Sequence, residues 1–218
     1  TADLCLLLKA SGCIAVSGGL EVASDRLLEL IKKGVTVEQV AQVTRNFTEA
    51  GIMVHAYLMY GYPTQTVQET IDSLEMVRQM FELGILQSGF WHQFAMTAHS
   101  PVGMIPSAFG VNNDIQFKDI TGINHDKFSF GLKKSLFNFM HGICFDYDLQ
   151  DWFDFKIPNT TIPSDYIVSC LENENTFAMK PSAKIIWIGG KPITQTFTKS
   201  KKGNTWEMMR LTFHDKRE

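Results

Sequence analysis

Long apolar runs are missing from this chain. None approaches the roughly 20 residues that span a bilayer, and no stretch near Thr1 reads as a signal peptide. Both absences lead us to expect a cytoplasmic protein with no membrane partner. A surplus of positive charge is missing too. The formal charge is −3, so there is no electrostatic footprint for a nucleic-acid backbone. Cysteine is scarce and scattered: Cys5, Cys13, Cys144 and Cys170 never fall at the two- or three-residue gaps of zinc or iron–sulfur ligation. Such thiols are expected to be reduced residues of a core. His125, His141 and His214 lack metal-like spacing and read as surface or packing residues. Internal repeats and low-complexity stretches are absent. What is present is the composition of an ordinary globular protein, 218 residues with 44% apolar and 20% charged. That is enough for one or two domains with a sizeable core.

The sequence starts with Thr1, and Leu4-Cys5-Leu6-Leu7-Leu8-Lys9-Ala10 reads as a helix already under way. We therefore expect a piece of a longer protein. Residues 2–11 form that helix, with Gly12 as its stop. A short buried strand follows at 13–19. Ser24 or Asp25 caps the next helix, which runs to Lys33-Gly34. Thr36 and Gln39 make a capping box for a helix over 37–50, and Thr66 and Glu69 make another for a helix over 67–83. Strands are expected at 52–60 and 87–96. After residue 110 the style changes. Helices are expected at 130–142 and 163–171, a strand at 184–188, and a hairpin over 192–199 and 204–213 turning at Lys202-Gly203-Asn204.

Strands alternating with helices of about 14 residues imply parallel βαβ units. Three strands are too few to close a barrel. The fold class is thus α/β: residues 1–108 as part of a parallel (β/α) barrel, then an α+β region over 109–218. A truncated sheet of this kind leaves the strand at 13–19 with an open edge, which invites self-association.

Glycines and a carboxylate sit where strands hand over to helices, first at Ser17-Gly18-Gly19-Leu20-Glu21 and again at Tyr60-Gly61-Tyr62-Pro63. That is the carboxyl edge of the sheet, where α/β folds bind ligands. Ser17 and Gly19 share a face of small side chains that leaves room, and Glu21 follows on the same alternation. Glu21 has two readings. It can serve as a first-turn carboxylate, favourable by about 0.3–1 kcal/mol against a helix dipole. Alternatively it grips an ammonium or ribose hydroxyls through charge-assisted bonds of roughly 1.5–3 kcal/mol each. In the strand 52–60, Met53, His55, Tyr57 and Met59 share one face. Their polar groups need partners from neighbouring side chains or from a ligand. Gln87, Ser88, His92, Gln93 and His99 lie in or just past the third strand, and the pattern leaves open which of them point inward.

These motifs resemble the second half of a radical S-adenosylmethionine (SAM) domain. The nearest branch contains oxygen-independent coproporphyrinogen oxidase and related methylthiotransferases. The resemblance rests on Gly19-Leu20-Glu21, then Asp25-Arg26-Leu27-Leu28, Lys33-Gly34-Val35-Thr36, and Gly61-Tyr62-Pro63-Thr64-Gln65-Thr66, with a weaker echo at His99-Ser100-Pro101-Val102-Gly103. It covers residues 10–103 and implies the last three βα units of a six-stranded (β/α)6 partial barrel. By this resemblance Glu21 contacts SAM, with Ser17, Gly19 and Tyr57 beside it and Gly61, Tyr62 and Pro63 lining the site. His55, His92, Gln93 and His99 become candidates for cofactor or substrate contact. Tyr57 stands where the coproporphyrinogen-oxidase branch carries a carboxylate, and a phenol also hydrogen-bonds a ribose.

The cofactors implied are SAM and a 4Fe–4S cluster. The Cys-x-x-x-Cys-x-x-Cys loop that holds such a cluster is absent from these 218 residues, so its ligands are expected outside this chain. The activity implied for the parent is reductive SAM cleavage that starts radical chemistry on a small-molecule substrate, an oxidoreductase in the coproporphyrinogen-oxidase case. The chain alone is then expected to be inactive. The other readings are a non-radical (β/α)-barrel lyase or aldolase using His55 and Glu21 as acid and base, and a SAM- or nucleotide-binding module without catalysis.

Overall fold

The computed structural model describes residues 1–111, 125–142, 148–172, 193–201 and 204–212. The chain forms two compact units, Thr1–Asn175 and Thr176–Glu218.

The first unit is built on a parallel sheet of three strands in the order β1 (Ala15–Glu21), β2 (Met53–Tyr60), β3 (Ser88–Gln93). Helix α1 (Ala2–Ala10) precedes it, α2 (Asp25–Leu30) and α3 (Val37–Glu49) join β1 to β2, and α4 (Val67–Glu82) joins β2 to β3. Both capping boxes form as their sequences demand, Thr36 with Gln39 and Thr66 with Glu69. Of the two residues offered as the α2 cap, Ser24 takes the role, accepting from Leu27 N–H. Asp25 accepts from Val37 N–H at 2.7 Å and so ties the start of α3 to α2.

The sheet is fixed in register by its alternation. Val54, Ala56, Leu58 and Tyr60 are buried with Leu20 and Trp91 against the helices, as a strand period of two requires. Gln87 locks the entry to β3: its Oε1 accepts from Val54 N–H at 2.7 Å, and its Nε2 donates to Thr48 Oγ1 at 3.1 Å and to Gly84 O at 2.7 Å. The buried strand expected at 13–19 instead runs from Ala15 to Glu21, with Leu20 its one buried residue. It continues through a bulge between Gly19 and Glu21, with Gly19 opposite Tyr57 and Glu21 opposite Leu58. The strand expected to reach residue 96 ends at Gln93, the last residue in register, opposite Tyr60.

The same core takes in the later helices. Helix α6 (His125–Met140), following the short α5 (Pro101–Met104), contributes Phe128, Leu132, Leu136 and Phe139 and packs against β3. Gly131 is required there, because a Cβ would enter the ring of Phe153. Residues 159–172, ending in α7 (Tyr166–Glu172), strap across α4. Asp72 accepts from Thr160 Oγ1, Thr161 N–H and Thr161 Oγ1, while Gln79 donates to Pro163 O at 2.8 Å and accepts from Ile167 N–H at 3.0 Å. Burial, and then the neighbouring Cys170, push the Tyr166 hydroxyl up to about 12.

The second unit contains an antiparallel hairpin of β4 (Ile193–Lys201) and β5 (Asn204–Thr212), paired from Ile193↔Thr212 to Lys201↔Asn204. This is the hairpin expected from Lys202-Gly203-Asn204, although 202 and 203 themselves lie outside the described residues. The strand expected at 184–188, His214 and Cys144 also lie outside them. Among the described residues, no helix is long and apolar enough to cross a membrane.

Candidate functional site

One face of the sheet packs on helices, and the described residues leave the other face open. Residues in register share a face, so Ser17 lies beside His55 and Ser88, and Gly19 beside Tyr57 and Phe90. His92 stands opposite Met59 on the same face. The structure therefore brings together Ser17, Gly19, His55, Tyr57 and His92. Met53 on this face is 55% exposed rather than enclosed.

The bulge sets Glu21 opposite Leu58 rather than on the Ser17–Gly19 alternation expected for it, and Glu21 adopts φ 60. That left-handed conformation costs a non-glycine residue roughly 1–2 kcal/mol, and the Glu21 side chain lies against Gly19. Glu21 Oε1 meets Lys33 Nζ at 2.8 Å. Lys33 is presented by a tight turn in which Lys32 (φ 55) and Gly34 (φ 76) flank it. A Cβ at Gly19 would run into Glu21 Oε1 and sit 2.8 Å from Lys33 Nζ. The ion pair thus occupies the space that a side chain at residue 19 would fill. Sequence reasoning found Glu21 and Gly19 but gave Lys33 no role beyond its place in a turn. The signal for it was the close approach that the double glycine permits.

His55 is satisfied by a neighbour, its Nδ1 lying 2.8 Å from Ser88 Oγ. Its ring meets Tyr57 edge-on at 5.0 Å, and Tyr57 in turn lies 5.6 Å from His92. Gln93 and His99 are exposed beyond this strip, His99 in the turn before α5.

The second loop is placed differently. Gly61, Tyr62 and Pro63 are buried. Tyr62 packs with Val22, Val102 and Val111 and stands edge-on to Phe94 at 4.9 Å, and burial raises its hydroxyl above the usual value. Gln65 holds the loop: its Oε1 accepts from Gly61 N–H at 2.6 Å and from Tyr62 N–H at 3.2 Å. Its Nε2 is buried without a partner among the described residues, a state that costs about 1–3 kcal/mol unless an acceptor arrives. Glu21 and the Gly61 loop follow neighbouring parallel strands and so lie at the same end of the sheet, with Val22 and Tyr62 in one apolar cluster.

A groove of about 440 Å³ runs along β1, lined mostly by apolar side chains such as Val16, Leu20, Val40, Val43 and Phe47, and it reaches Ser17, Gly19 and Lys33 of the candidate site.

Residues 1–77 match the model of the radical SAM superfamily. Over 70 residues the chain is 33% identical to an uncharacterized protein of Methanopyrus kandleri, an alignment covering 32% of this chain and 13% of that protein. Over 73 residues it is 29% identical to an uncharacterized methyltransferase of Pyrococcus horikoshii, covering 34% of this chain and 16% of that protein. The matched stretch is thus a small part of either relative's length.

The family pairs SAM with a 4Fe–4S cluster, and the residues present fit these two groups unequally. For SAM there is one point of fit, at its amino-acid end: Glu21 holds the Lys33 ammonium beside Gly19, as a carboxylate would hold an amino group. For the cluster there is no fit. Among the described residues no three His, Cys, Asp or Glu side chains come together to hold a metal, and the four cysteines lack the required spacing.

Proposed function

We propose that this chain supplies the SAM-binding edge of a radical SAM enzyme, with Glu21 and Lys33 recognising the amino-acid end of the cofactor. The Glu21–Lys33 pair over Gly19 carries this reading. An α-amino acid is a zwitterion, and a carboxylate beside an ammonium is its electrostatic complement. The amino group takes the place of Lys33 Nζ on Glu21, and the freed Lys33 meets the carboxylate. An exposed ion pair is worth only about 0–1 kcal/mol, so opening it costs little, while each new charge-assisted bond contributes roughly 1.5–3 kcal/mol. Tyr57, in register with Gly19, flanks the same space. The Gly61–Pro63 loop acts through its shape and through Gln65, whose free Nε2 awaits an acceptor.

When held by these residues, SAM would supply radical chemistry on receiving one electron from a reduced 4Fe–4S cluster, with methionine as the leaving group. This chain's share is to bind and orient the cofactor. The cluster ligands belong on chain outside these 218 residues, because no suitable cysteine loop occurs within them. Within the branch the motifs resemble, group transfer is favoured over coproporphyrinogen oxidation. A relative described as a methyltransferase supports it, and Tyr57 replaces the oxidase-branch carboxylate.

Calorimetric titration of the chain with SAM tests the assignment. Glu21→Gln and Lys33→Met should each weaken binding by about tenfold or more, which is ~1.4 kcal/mol, with melting temperatures close to the parent's. Unchanged affinity in both variants refutes it.

A further inference from the structure

The two loops at this end of the sheet, one after β1 and one after β2, are tied to each other by Arg26. It stands in the first turn of α2, shortly past Glu21, and its side chain is 51% exposed, so it fills no core. Its guanidinium instead reaches across to the second loop. Nε and one terminal nitrogen form a two-point pair with Glu69, at 2.7 Å to Oε1 and 2.8 Å to Oε2. The same fork meets Thr64, at 3.1 Å to Oγ1 and 3.0 Å to the backbone carbonyl. Thr64 has φ 68, a left-handed conformation that a β-branched residue keeps only where its surroundings enforce it. Next along the chain is Gln65, whose side chain shapes the loop by accepting from Gly61 N–H and Tyr62 N–H. Two further bonds join the same segments. Ser24 Oγ donates to Glu69 Oε1 at 3.3 Å, and the buried Ser73 of α4 donates to Ala23 O at 3.2 Å.

We infer that Arg26 is a positioning residue, which sets the Gly61–Thr66 loop against the Glu21 rim and so shapes the part of the site beyond the cofactor's amino-acid end. The inference rests on reading Glu21–Lys33 as the anchor of SAM. Arg26 acts through Thr64 and Glu69. Without it Thr64 relaxes from its left-handed φ and the loop samples other shapes. Apparent affinity then falls with the fraction of molecules in the competent one. Lysine is no substitute. Its ammonium is a single point, whereas the planar guanidinium holds Glu69 and Thr64 at once.

The test titrates the 218-residue chain and its Arg26→Met, Arg26→Lys and Glu69→Gln variants with SAM and with methionine, which offers the amino-acid end alone. Hydrogen exchange of the Gly61 and Tyr62 amides is followed in the ligand-free proteins. Both Arg26 variants should bind SAM about tenfold more weakly and methionine as the parent does. Their Gly61 and Tyr62 amides should exchange about tenfold faster. Glu69→Gln keeps the capping box, because glutamine serves at that position as glutamate does, and should weaken SAM in the same direction. Combined with Arg26→Met it should add nothing further, as expected of two members of one network. Melting temperatures check that each variant folds, and Glu69→Gln carries the test if Arg26→Met does not. The inference is overturned if SAM affinity survives Arg26→Met, if methionine weakens as much as SAM, or if lysine restores full affinity. If SAM fails to bind even the parent while the amides exchange faster in the variants, the cofactor reading falls alone and the tie between the loops stands. If SAM binds the parent and the variants match it in affinity and exchange, the role of Arg26 falls alone.

Discussion

Gly19 matters for the space it leaves. Replacing it with alanine puts a Cβ against Glu21 Oε1 and Lys33 Nζ, both at the ends of flexible side chains, so the pair swings away and the backbone stays. Removing a glycine's freedom in the unfolded chain stabilises by roughly 0.4–1 kcal/mol where φ is compatible, and losing an exposed pair costs about 0–1 kcal/mol. We therefore expect Gly19→Ala to melt near the parent's temperature and to bind SAM about tenfold more weakly or worse. A large loss of stability would show that residue 19 serves packing rather than binding. Gly19 and Glu21 were readable as a pair from their spacing. Lys33 was not, because twelve residues separate it from Glu21 and only the turn flanked by Lys32 and Gly34 brings it back.

At the scale of elements, the start of α4 gathers more than its capping box. Glu69 accepts from Thr66 N–H and Thr66 Oγ1, and both of its oxygens accept from Arg26 on α2. Burial by itself raises the Glu69 carboxyl, but the bonds from Arg26 and Thr66 outweigh it and hold the group below its ordinary value. A carboxyl depressed in the folded state stabilises fully above its unfolded value, about 4.3, and that stability is lost as pH falls through the folded value. Melting temperatures measured from pH 7 downward should therefore drop below about pH 4.3, and Glu69→Gln should flatten part of that drop. An identical acid profile in the variant would assign the drop to other carboxylates. At the alkaline end, Tyr166 carries the opposite sign. Its raised value means stability is fully present below the ordinary 10 and declines as pH climbs toward about 12. The boxes Thr36–Gln39 and Thr66–Glu69 were legible because a capping box is local. The ends of β1 and β3 were not, because a bulge and the pairing with β2 set them.

At the scale of the molecule, β1 is one of the sheet's two outer strands, unpaired on its far side among the described residues, with Ser17 and Gly18 exposed. Beside it runs the apolar groove, and Leu4, Leu6, Leu7 and Leu8 of α1 are exposed as well. An unpaired parallel edge next to exposed hydrocarbon is a template for another strand. We expect the chain alone to gain mass with concentration in sedimentation equilibrium, and Val43→Lys, which puts a charge in the groove, to reduce that association. A constant monomer mass over a wide concentration range would contradict this. The three-strand parallel arrangement was readable from alternating helix and strand periods. The joining of α6, Phe153 and Ile167 to the same core was not, since the change of style after residue 110 marks composition and says nothing of packing.

By itself the sequence determined the local structure: which residues cap, which alternate, and where a strand end carries glycine and carboxylate. Those properties depend on neighbours a few positions away, where backbone sterics and hydrogen bonding act directly. Only the tertiary structure decided that Lys33 sits on Glu21, that Tyr62 turns into an apolar cluster, and that His55, Tyr57, Phe90 and His92 form one strip. These are contacts between strands and loops distant in the chain, and pairing register and chain reversal set them rather than any local preference.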